Sequence, residues 1–374
     1  MCLTFSCARA KIKKKQKRKD EAMRLEDIDP NFKVDTNIAR EGMRFYNAEA
    51  EPFRIHGVFR EGDRFVRLPR AVADSVSPGV SNLATRLAGG RVRFITDSPY
   101  VAINAELCDK YRADHFTMCA SIGLDLYIEG NGRPIYYVGT YRPPVNVEDA
   151  YQSIKDLPNG EWEVTINLPL YGGLRALYIG LDENATLKLP REYTYQKPVL
   201  FYGSSITQGG CASRAGMSYE GILSRRLDCD FINLGFSGSA KGEPEMIEYL
   251  ASLDPSVFVL DYDYNAPSPE HLEATHETLF KAFRAAHPTT PVIMISKPLP
   301  EIYFTEGDYR RRSIIRRTYE NALAAGDTNV WFIDGSTLAS TESTVDRCHP
   351  TDHGFILMAD GIEPVLREAL EKTK

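Results

Sequence analysis

The feature of this sequence that most constrains its fold is a change in hydrophobic periodicity near Lys197. Before that position, apolar and polar residues alternate in several short runs, which Gly, Pro and Asn separate. A period of two places one set of side chains on a buried face and the other in water, as in an antiparallel strand. Clear examples are 101–107, 122–128 and 162–168. The region therefore predicts an all-β sandwich of antiparallel strands, jelly-roll-like in form.

Beyond Lys197, short apolar runs alternate with segments of helical length. The five runs are 198–203, 231–236, 256–262, 291–296 and 330–334. One intervening segment places Leu272, Leu279, Phe280 and Phe283 on one helical face. Apolar strands alternating with helices indicate right-handed crossovers and a parallel sheet covered on both faces. We therefore predict an α/β domain with a flavodoxin-like, five-stranded parallel sheet, whose functional residues follow the carboxyl ends of the strands.

The length of 374 residues favours two domains of ordinary size. We place the sandwich at residues 25–195 and the α/β domain at residues 196–374. Residues 1–24 include the basic run RAKIKKKQKRK, which we interpret as part of a disordered leader or as translated sequence upstream of a start at Met23. A basic arm for nucleic acid or a membrane is the alternative interpretation. The short polar stretch before the basic run is not typical of a signal peptide.

Charge and cysteine content restrict the partners and the compartment. A formal net charge of −6 gives no electrostatic reason to expect nucleic acid or an anionic membrane as partner. The seven cysteines are an odd number, and no two of them form a Cys-x-x-Cys pair. This pattern argues against a disulfide framework and against a zinc site. We therefore expect a small-molecule substrate, no metal or other cofactor, and a reducing compartment, the cytoplasm.

Ser205 follows the first apolar run of the second half, within the segment GSSITQG. A serine that leaves a strand and enters a helix can present its hydroxyl as a nucleophile, and the N–H groups of the helix N-terminus can stabilise an oxyanion. A serine that only caps a helix is the alternative, and this segment alone does not decide between them.

Three further segments follow later strands. The glycines of NLGFSGS, at 233–239, would let a backbone amide approach a ligand, or would simply form a turn. Asn265, which ends DYDYN, could donate its side-chain amide to an oxyanion or cap the next helix. Asp346 precedes His349 by three residues, so its carboxylate can reach the imidazole and hold its tautomer, as a catalytic histidine requires. A surface loop before the last helix is the alternative for that pair.

Taken together, these four segments resemble the conserved blocks of the GDSL/SGNH hydrolases, a family of serine esterases. GSSITQG resembles the first block, NLGFSG the second, DYDYN the third, and DRCHPTDHG the Asp-x-x-His block. Their order and their positions after successive strands also match. The resemblance covers residues from about 198 to the end. The β-rich half resembles the sandwich that precedes the catalytic domain in some members, including some carbohydrate esterases.

The resemblance implies a role for each matching position. Ser205 would be the nucleophile, His349 its general base, and Asp346 the residue that orients His349. The oxyanion hole would consist of the backbone N–H groups of Ser205 and Gly238 and the side-chain amide of Asn265. Gly238 is preferred to Gly235 because the glycine of the family follows its strand by a few residues. The family's usual Asp before the nucleophile is Ser204 here, and DYDYN is looser than the common Gly-x-Asn-Asp form, which weakens the Asn265 assignment most.

The substrate is expected from the resemblance to be a short-chain ester, an acetylated sugar or oligosaccharide. Tyr262 and Tyr264 flank the third block and could stack on a sugar or wall off a short acyl pocket, or simply pack in the core. Arg214 could hold a polar group of the substrate or be a structural arginine. Two alternatives remain: a lysophospholipase or thioesterase that acts on longer acyl chains, and an inert carbohydrate-binding protein, against which the intact set of Ser205, Asp346 and His349 argues.

Overall fold

The first half of the described chain is built from short antiparallel strands. In the computed structural model of the protein, the described residues are Ile38, 40–130 and 132–374, so the predicted leader lies outside them. The elements of this half are β1 (Met43–Asn47), β2 (Arg54–His56), β3 (Phe59–Glu61), β4 (Arg64–Val66), α1 (Arg70–Val76), α2 (Pro78–Leu83), β5 (Arg91–Thr96), β6 (Tyr100–Asp109), α3 (Met118–Ser121), β7 (Leu124–Gly130), β8 (Arg133–Tyr141), β9 (Ala150–Asp156), β10 (Trp162–Asn167), β11 (Gly173–Asp182) and β12 (Leu187–Lys188).

Apart from β3 and β4, which pair only with each other, these strands form two sheets that share one core. One sheet has the strand order β1-β11-β6-β9, and the other has the order β12-β5-β10-β7-β8, with β2 paired to β5. All pairings within both sheets are antiparallel. Val101 and Ile103 of β6 are fully buried in the same core as Val164 and Ile166 of β10. Since side chains from the inner faces of both sheets fill this core, the predicted sandwich is confirmed.

The second half alternates strands and helices around a parallel sheet. Its elements are β13 (Tyr195–Gly203), α4 (Tyr219–Leu227), β14 (Cys229–Gly235), α5 (Pro244–Ser252), β15 (Val257–Asp261), α6 (Pro269–Ala286), β16 (Val292–Ile295), α7 (Glu306–Ala324), β17 (Val330–Ile333) and α8 (Asp352–Glu371), with 3₁₀ turns at Ala215–Met217, Asp263–Asn265, Glu301–Tyr303 and Gly335–Leu338. The strand order is β14-β13-β15-β16-β17. Every pairing is parallel, so the predicted flavodoxin-like sheet is confirmed. Among the described residues, no helix combines the length and the apolarity needed to cross a bilayer.

The helices of the first half help to cover this parallel sheet. Leu68 and Val80, on either side of α1, lie in the same hydrophobic core as Leu200 and Tyr202 of β13. All four side chains are completely buried. The change from antiparallel to parallel strands falls near residue 195, but the core of the parallel sheet also draws on residues that precede it.

A second link between the halves is the segment Gly-Leu-Asp-Leu-Tyr at 123–127. The carboxylate of Asp125 is fully buried and accepts hydrogen bonds from the Asn167 side-chain amide (2.7 Å) and from the backbone N–H of Gly216 (2.8 Å). A Cβ on Gly216 would lie 2.9 Å from Asp125 Oδ2 and 2.7 Å from the ring of Tyr127. Only a glycine permits this close approach, which fixes the start of α4 and the loop before it against the sandwich.

Candidate active site

The turn that carries Ser205 begins where β13 ends. A Cβ on Gly203 would lie 2.0 Å from Thr207 Oγ1 and 2.4 Å from the carbonyl oxygen of Asp261, so the turn requires glycine there. Ser204, which is buried, donates its N–H to the Asp261 carbonyl (3.2 Å), and its hydroxyl accepts from the N–H of Ile206 (3.1 Å). Turns follow Ser205, and the next α-helix begins only at Tyr219. The expected helix directly after Ser205 is therefore absent, and Ser205 does not cap a helix.

Ser205, His349 and Asp346 form a continuous chain of hydrogen bonds. Ser205 Oγ lies 2.9 Å from His349 Nε2, and His349 Nδ1 lies 2.8 Å from Asp346 Oδ2. The other oxygen of Asp346 accepts the backbone N–H groups of Cys348 (3.0 Å) and His349 (2.7 Å). Burial raises the pKa of Asp346, but the hydrogen bonds from the ring and backbone of His349 outweigh that effect and hold the pKa below its ordinary value. The carboxylate is therefore ionised at neutral pH and favours the tautomer with a proton on Nδ1.

The three predicted oxyanion donors all line the cleft that contains Ser205. Among the described residues, the backbone N–H groups of Ser205 and Gly238 have no hydrogen-bond acceptor. Asn265 donates one amide hydrogen to the carbonyl of Phe236 (2.7 Å), which orients the amide and leaves its second hydrogen available. Gly235, by contrast, donates its N–H to Asn233 Oδ1 (2.9 Å) and is not available as an oxyanion donor.

The loop that carries Gly238 is anchored from the other half of the chain. Arg67 is fully buried and donates to the carbonyl oxygens of Asn233 (2.8 Å), Gly235 (3.0 Å) and Leu83 (3.0 Å). Its guanidinium also lies over the ring of Phe236, 4.9 Å from the centroid. Because these contacts fix the end of β14, Arg67 determines where the following glycine-containing loop begins.

The cleft has a volume of about 550 Å³ and is lined by both halves of the chain. The first half contributes a group of three aromatic residues, Tyr111, Phe116 and Tyr171. The ring of Tyr111 stacks on that of Tyr171 with a centroid distance of 5.5 Å, and the centroid of the Phe116 ring lies 4.6 Å from that of the same tyrosine. The hydroxyl of Tyr171 is 2.7 Å from Ser237 Oγ, beside the oxyanion loop. The sequence patterns did not point to these residues, because they lie in loops without a periodic signal.

Of the three residues predicted to contact substrate outside the catalytic set, one lines the cleft and two do not. Tyr264 lines the cleft, as expected. Tyr262 does not, because it is 1% exposed and its hydroxyl bonds Thr275 Oγ1 (2.7 Å), so it is the packing residue that the alternative interpretation described. Arg214 also lies outside the cleft lining: it donates to Tyr127 Oη (3.0 Å) and its guanidinium lies 4.1 Å from the centroid of the Tyr137 ring. Arg214 is therefore a structural arginine between the halves.

A buried network lies beneath the nucleophile turn, where the family's usual Asp is replaced by Ser204. Asp261 is fully buried and accepts hydrogen bonds from Thr207 Oγ1 (3.2 Å) and Tyr219 Oη (3.2 Å). Burial raises the pKa of Asp261 to about 8 in spite of these two hydrogen bonds. The carboxyl group thus remains largely protonated at neutral pH and supports the turn as a neutral group.

Two groups of side chains beside Ser205 could hold a metal ion. His115, Cys211 and His349 form one group, and Asp346, Cys348 and His349 form the other; within each, the ligand atoms lie within 4.8 Å of one another. The sequence argument against a zinc site used spacing alone, and spacing cannot reveal ligands that come from positions as far apart as 115, 211 and 349.

A flavodoxin-like sheet with a serine, a histidine and an aspartate assembled at its carboxyl edge defines an SGNH-type serine hydrolase. The GDSL-like lipase/acylhydrolase family matches residues 196–367, and the family named Gly-x-Asp-Leu-Tyr, the N-terminus of SGNH hydrolase-type esterases, matches residues 43–187. The motif of the latter is the 123–127 segment that binds Gly216. A crystal structure from Bacteroides ovatus ATCC 8483, assigned as a GDSL-like lipase, is 31% identical over 88% of this chain and 98% of its own, with a TM-score of 0.79. This chain therefore belongs to the GDSL-like lipase/acylhydrolase family.

More distant structures share the fold. The salicylyl-acyltransferase SsfX3 from a tetracycline biosynthetic pathway is 19% identical over 90% of this chain and all of its own, with a TM-score of 0.73. The acetyl xylan esterase Est2A from the rumen bacterium Butyrivibrio proteoclasticus is 14% identical over 89% of this chain and all of its own, with a TM-score of 0.57. No curated protein matches the chain. Family membership and fold together identify an esterase or acylhydrolase.

Proposed function

We propose that this protein is a serine esterase that removes acetyl groups from carbohydrates through an acyl-enzyme. The observation that carries the proposal is the hydrogen-bond chain from Ser205 through His349 to Asp346, with distances of 2.9 and 2.8 Å. Such a chain activates a serine hydroxyl, which is a weak nucleophile by itself. The same cleft holds the candidate oxyanion donors, so candidates for the nucleophile, the base and the oxyanion hole lie together.

In the proposed mechanism, Ser205 Oγ attacks the ester carbonyl carbon while His349 Nε2 accepts the hydroxyl proton. Asp346 stabilises the resulting imidazolium without itself taking the proton. The N–H groups of Ser205 and Gly238 and the Asn265 amide donate to the oxyanion of the tetrahedral intermediate. His349 then gives the proton to the leaving alcohol. Water, activated by His349, attacks the acyl-Ser205 ester, and the second tetrahedral intermediate collapses to release the acid and regenerate Ser205.

The preference for a sugar substrate is supported by the cleft and by the more distant structures. Tyr111, which is 41% exposed, and Tyr264 present aromatic rings in the lining, and such rings stack well on the apolar faces of sugars. Est2A is an acetyl xylan esterase, and a family two carbohydrate esterase from Clostridium thermocellum has been crystallised with cellohexaose. A lysophospholipase or thioesterase would use the same catalytic groups on longer acyl chains.

The test is a chain-length series combined with natural substrates. We expect para-nitrophenyl acetate to be hydrolysed in preference to the butyrate and decanoate esters, and acetate to be released from acetylated xylo-oligosaccharides. Preference for decanoate, with no acetate released from the oligosaccharides, would contradict the acetyl-carbohydrate proposal and favour the long-chain alternative. Binding of oligosaccharides without turnover of any ester would favour the inert binding protein.

We also propose that the protein acts in the cytoplasm, on short acetylated oligosaccharides. The proposal is supported by the cysteines of the described chain, since Cys108, Cys119, Cys211, Cys229 and Cys348 are all free thiols. Cell fractionation with the native protein tests this point. Recovery in the medium or the periplasm would contradict it.

A further inference from the structure

We propose that the cleft contains an inhibitory Zn²⁺ site formed by His115, Cys211 and His349. The ligand atoms of these three side chains lie within 4.8 Å of one another. Each comes from a different part of the chain: the loop between β6 and α3, the loop after the nucleophile turn, and the loop before α8. Binding of the ion depends only on this geometry, whereas inhibition by it depends on the function proposed above.

The chemistry of the three ligands selects zinc. Two imidazole nitrogens and one thiolate are ligands that Zn²⁺ prefers, and three protein ligands leave a fourth tetrahedral position open. Ser205 Oγ bonds His349 Nε2 at 2.9 Å and therefore lies beside a nitrogen that would bind the ion. Mg²⁺ and Ca²⁺ prefer oxygen ligands and should not bind to a set with two nitrogens and a sulfur.

His349 is already oriented as a zinc ligand. Asp346 accepts the hydrogen bond of Nδ1 at 2.8 Å, which leaves Nε2 with its lone pair directed into the cleft. The same carboxylate–histidine arrangement supports metal-bound histidines in general, where it fixes the tautomer and increases the basicity of the ligand. The geometry that prepares His349 to accept a proton from Ser205 therefore also prepares it to bind a metal ion.

The other two ligands are held close to His349 by their surroundings. Cys211 is 9% exposed and has a left-handed backbone conformation, with φ of 70°, in the tight loop after Ser205. The ring of His115 lies 5.6 Å from that of His349, and its Nδ1 contacts Asp114 Oδ1 at 2.9 Å, which leaves Nε2 for a metal. On binding, the Cys211 thiol would release its proton to solvent, and His349 Nε2 would exchange its hydrogen bond to Ser205 for the metal bond. The general base is then occupied, so hydrolysis stops until the ion leaves.

The test uses the full chain, purified without metal. Hydrolysis of para-nitrophenyl acetate is titrated with Zn²⁺ and then with a chelator, and Co²⁺ binding is followed by its thiolate charge-transfer absorption. We expect reversible inhibition by Zn²⁺ but not by Mg²⁺. Cys211→Ser and His115→Asn should each weaken metal binding at least about tenfold. Each variant's inhibition is expressed relative to its own metal-free rate, and melting temperatures verify the fold.

Cys348→Ser is the matched control, because Cys348 belongs to the other candidate group with Asp346 and His349. It should bind Zn²⁺ as the wild type does. If Cys348→Ser loses the metal and Cys211→Ser retains it, or if the wild type gives no cobalt–thiolate signal, the proposed site is overturned. Calorimetry on Ser205→Ala measures zinc binding apart from esterase activity, so it separates the two proposals. If the wild type binds zinc but has no esterase activity, the proposed function is contradicted and the metal site still stands.

Discussion

Asp346 contacts His349, the residue that it is predicted to orient, through both of its carboxylate oxygens. One carboxylate oxygen accepts from the imidazole of His349 and the other from its backbone N–H. Arg347, between them, has a φ of 63°, so the chain makes a tight turn that returns His349 to the carboxylate. A spacing of three residues therefore lets Asp346 reach both the ring and the backbone of His349 within one short segment.

Replacing Asn265 by alanine tests the predicted oxyanion hole at the level of one side chain. Because the amide would donate to the oxyanion only after attack, we expect kcat to fall by about 10²–10³, on the order of 3 kcal/mol, with little change in KM. Steady-state kinetics on para-nitrophenyl acetate measure both parameters. Asn321→Ala, at an exposed position on α7, is the control. A kcat within threefold of the wild type would remove Asn265 from the mechanism.

The residues that could be predicted are those with a local signal in the sequence. Ser205, Asp346 and His349 lie in short segments directly after strands, and the structure brings all three together. Tyr262 and Tyr264 lie in the same segment but point to different environments, which depends on how the turn at Asp263–Asn265 runs. His115 and Tyr171 reach the cleft from the sandwich, and nothing local in their segments indicates that contact.

At the scale of elements, the turn after β13 and the end of β14 are in direct contact. A Cβ on Gly235 would lie 2.3 Å from the backbone nitrogen of Gln208, which is part of the nucleophile turn. Backbone atoms cannot move aside as a flexible side chain can. The two segments therefore maintain the relative positions of Ser205 and the loop that contains Gly238.

Gly235→Ala should disturb this contact. We expect strain of about 1–3 kcal/mol, seen as a lower melting temperature, together with a loss of activity. Gly307→Ala is the control, because the added methyl group in the first turn of α7 would make only an ordinary contact, 3.6 Å from Thr305 Oγ1. Equal activity and stability of Gly235→Ala and the wild type would show that the two segments do not constrain each other.

The elements themselves followed from hydrophobic periodicity, with some exceptions. The five apolar runs of the second half coincide with β13 to β17. The short helices α1 and α2 were not predicted, because segments of seven and six residues are too short to show a helical period clearly. The absence of a helix directly after Ser205 was also not predicted, because the turns there are stabilised by contacts with Asp261, which is distant in sequence. Asp261 accepts hydrogen bonds from the backbone N–H of Ser204 and from Thr207 Oγ1.

At the scale of the whole molecule, several buried acids should make stability depend on pH. Burial raises the pKa of Asp261 to about 8, whereas an aspartate in the unfolded chain titrates near about 4. Between these values the folded state holds a proton that the unfolded state releases, so this group's contribution to stability falls as pH rises, by up to about 1.4 kcal/mol per pH unit. Burial also raises the pKa of Glu220 well above its ordinary value, in the same direction.

The substitution Asp261→Asn removes the contribution of Asp261 to the pH dependence of stability. We expect its free energy of unfolding, relative to the wild type, to increase from about pH 5 to about pH 8, as measured by urea denaturation across that window. Glu342→Gln, on the surface, is the control. A constant difference between Asp261→Asn and the wild type over the window would contradict the assignment of a protonated carboxyl at this position.

The two halves should also be inseparable. An isolated fragment of residues 196–374 would lose Leu68 and Val80 from the core of the parallel sheet, and burial of each such side chain contributes about 1.5–3 kcal/mol. It would also lose Arg67, which anchors the end of β14. We expect the fragment to lack a cooperative thermal transition and esterase activity, whereas the full chain has both. A folded, active fragment would show that the sandwich is dispensable.

The central claim is that Ser205 is the nucleophile of an esterase. The most direct test compares hydrolysis of para-nitrophenyl acetate by the wild type and by Ser205→Ala, with both proteins verified as folded by their melting temperatures. We predict turnover by the wild type and a fall in kcat of at least about 10⁴-fold in the variant, since the remaining groups cannot form an acyl-enzyme. Equal rates for the two folded proteins would show that Ser205 is not the nucleophile.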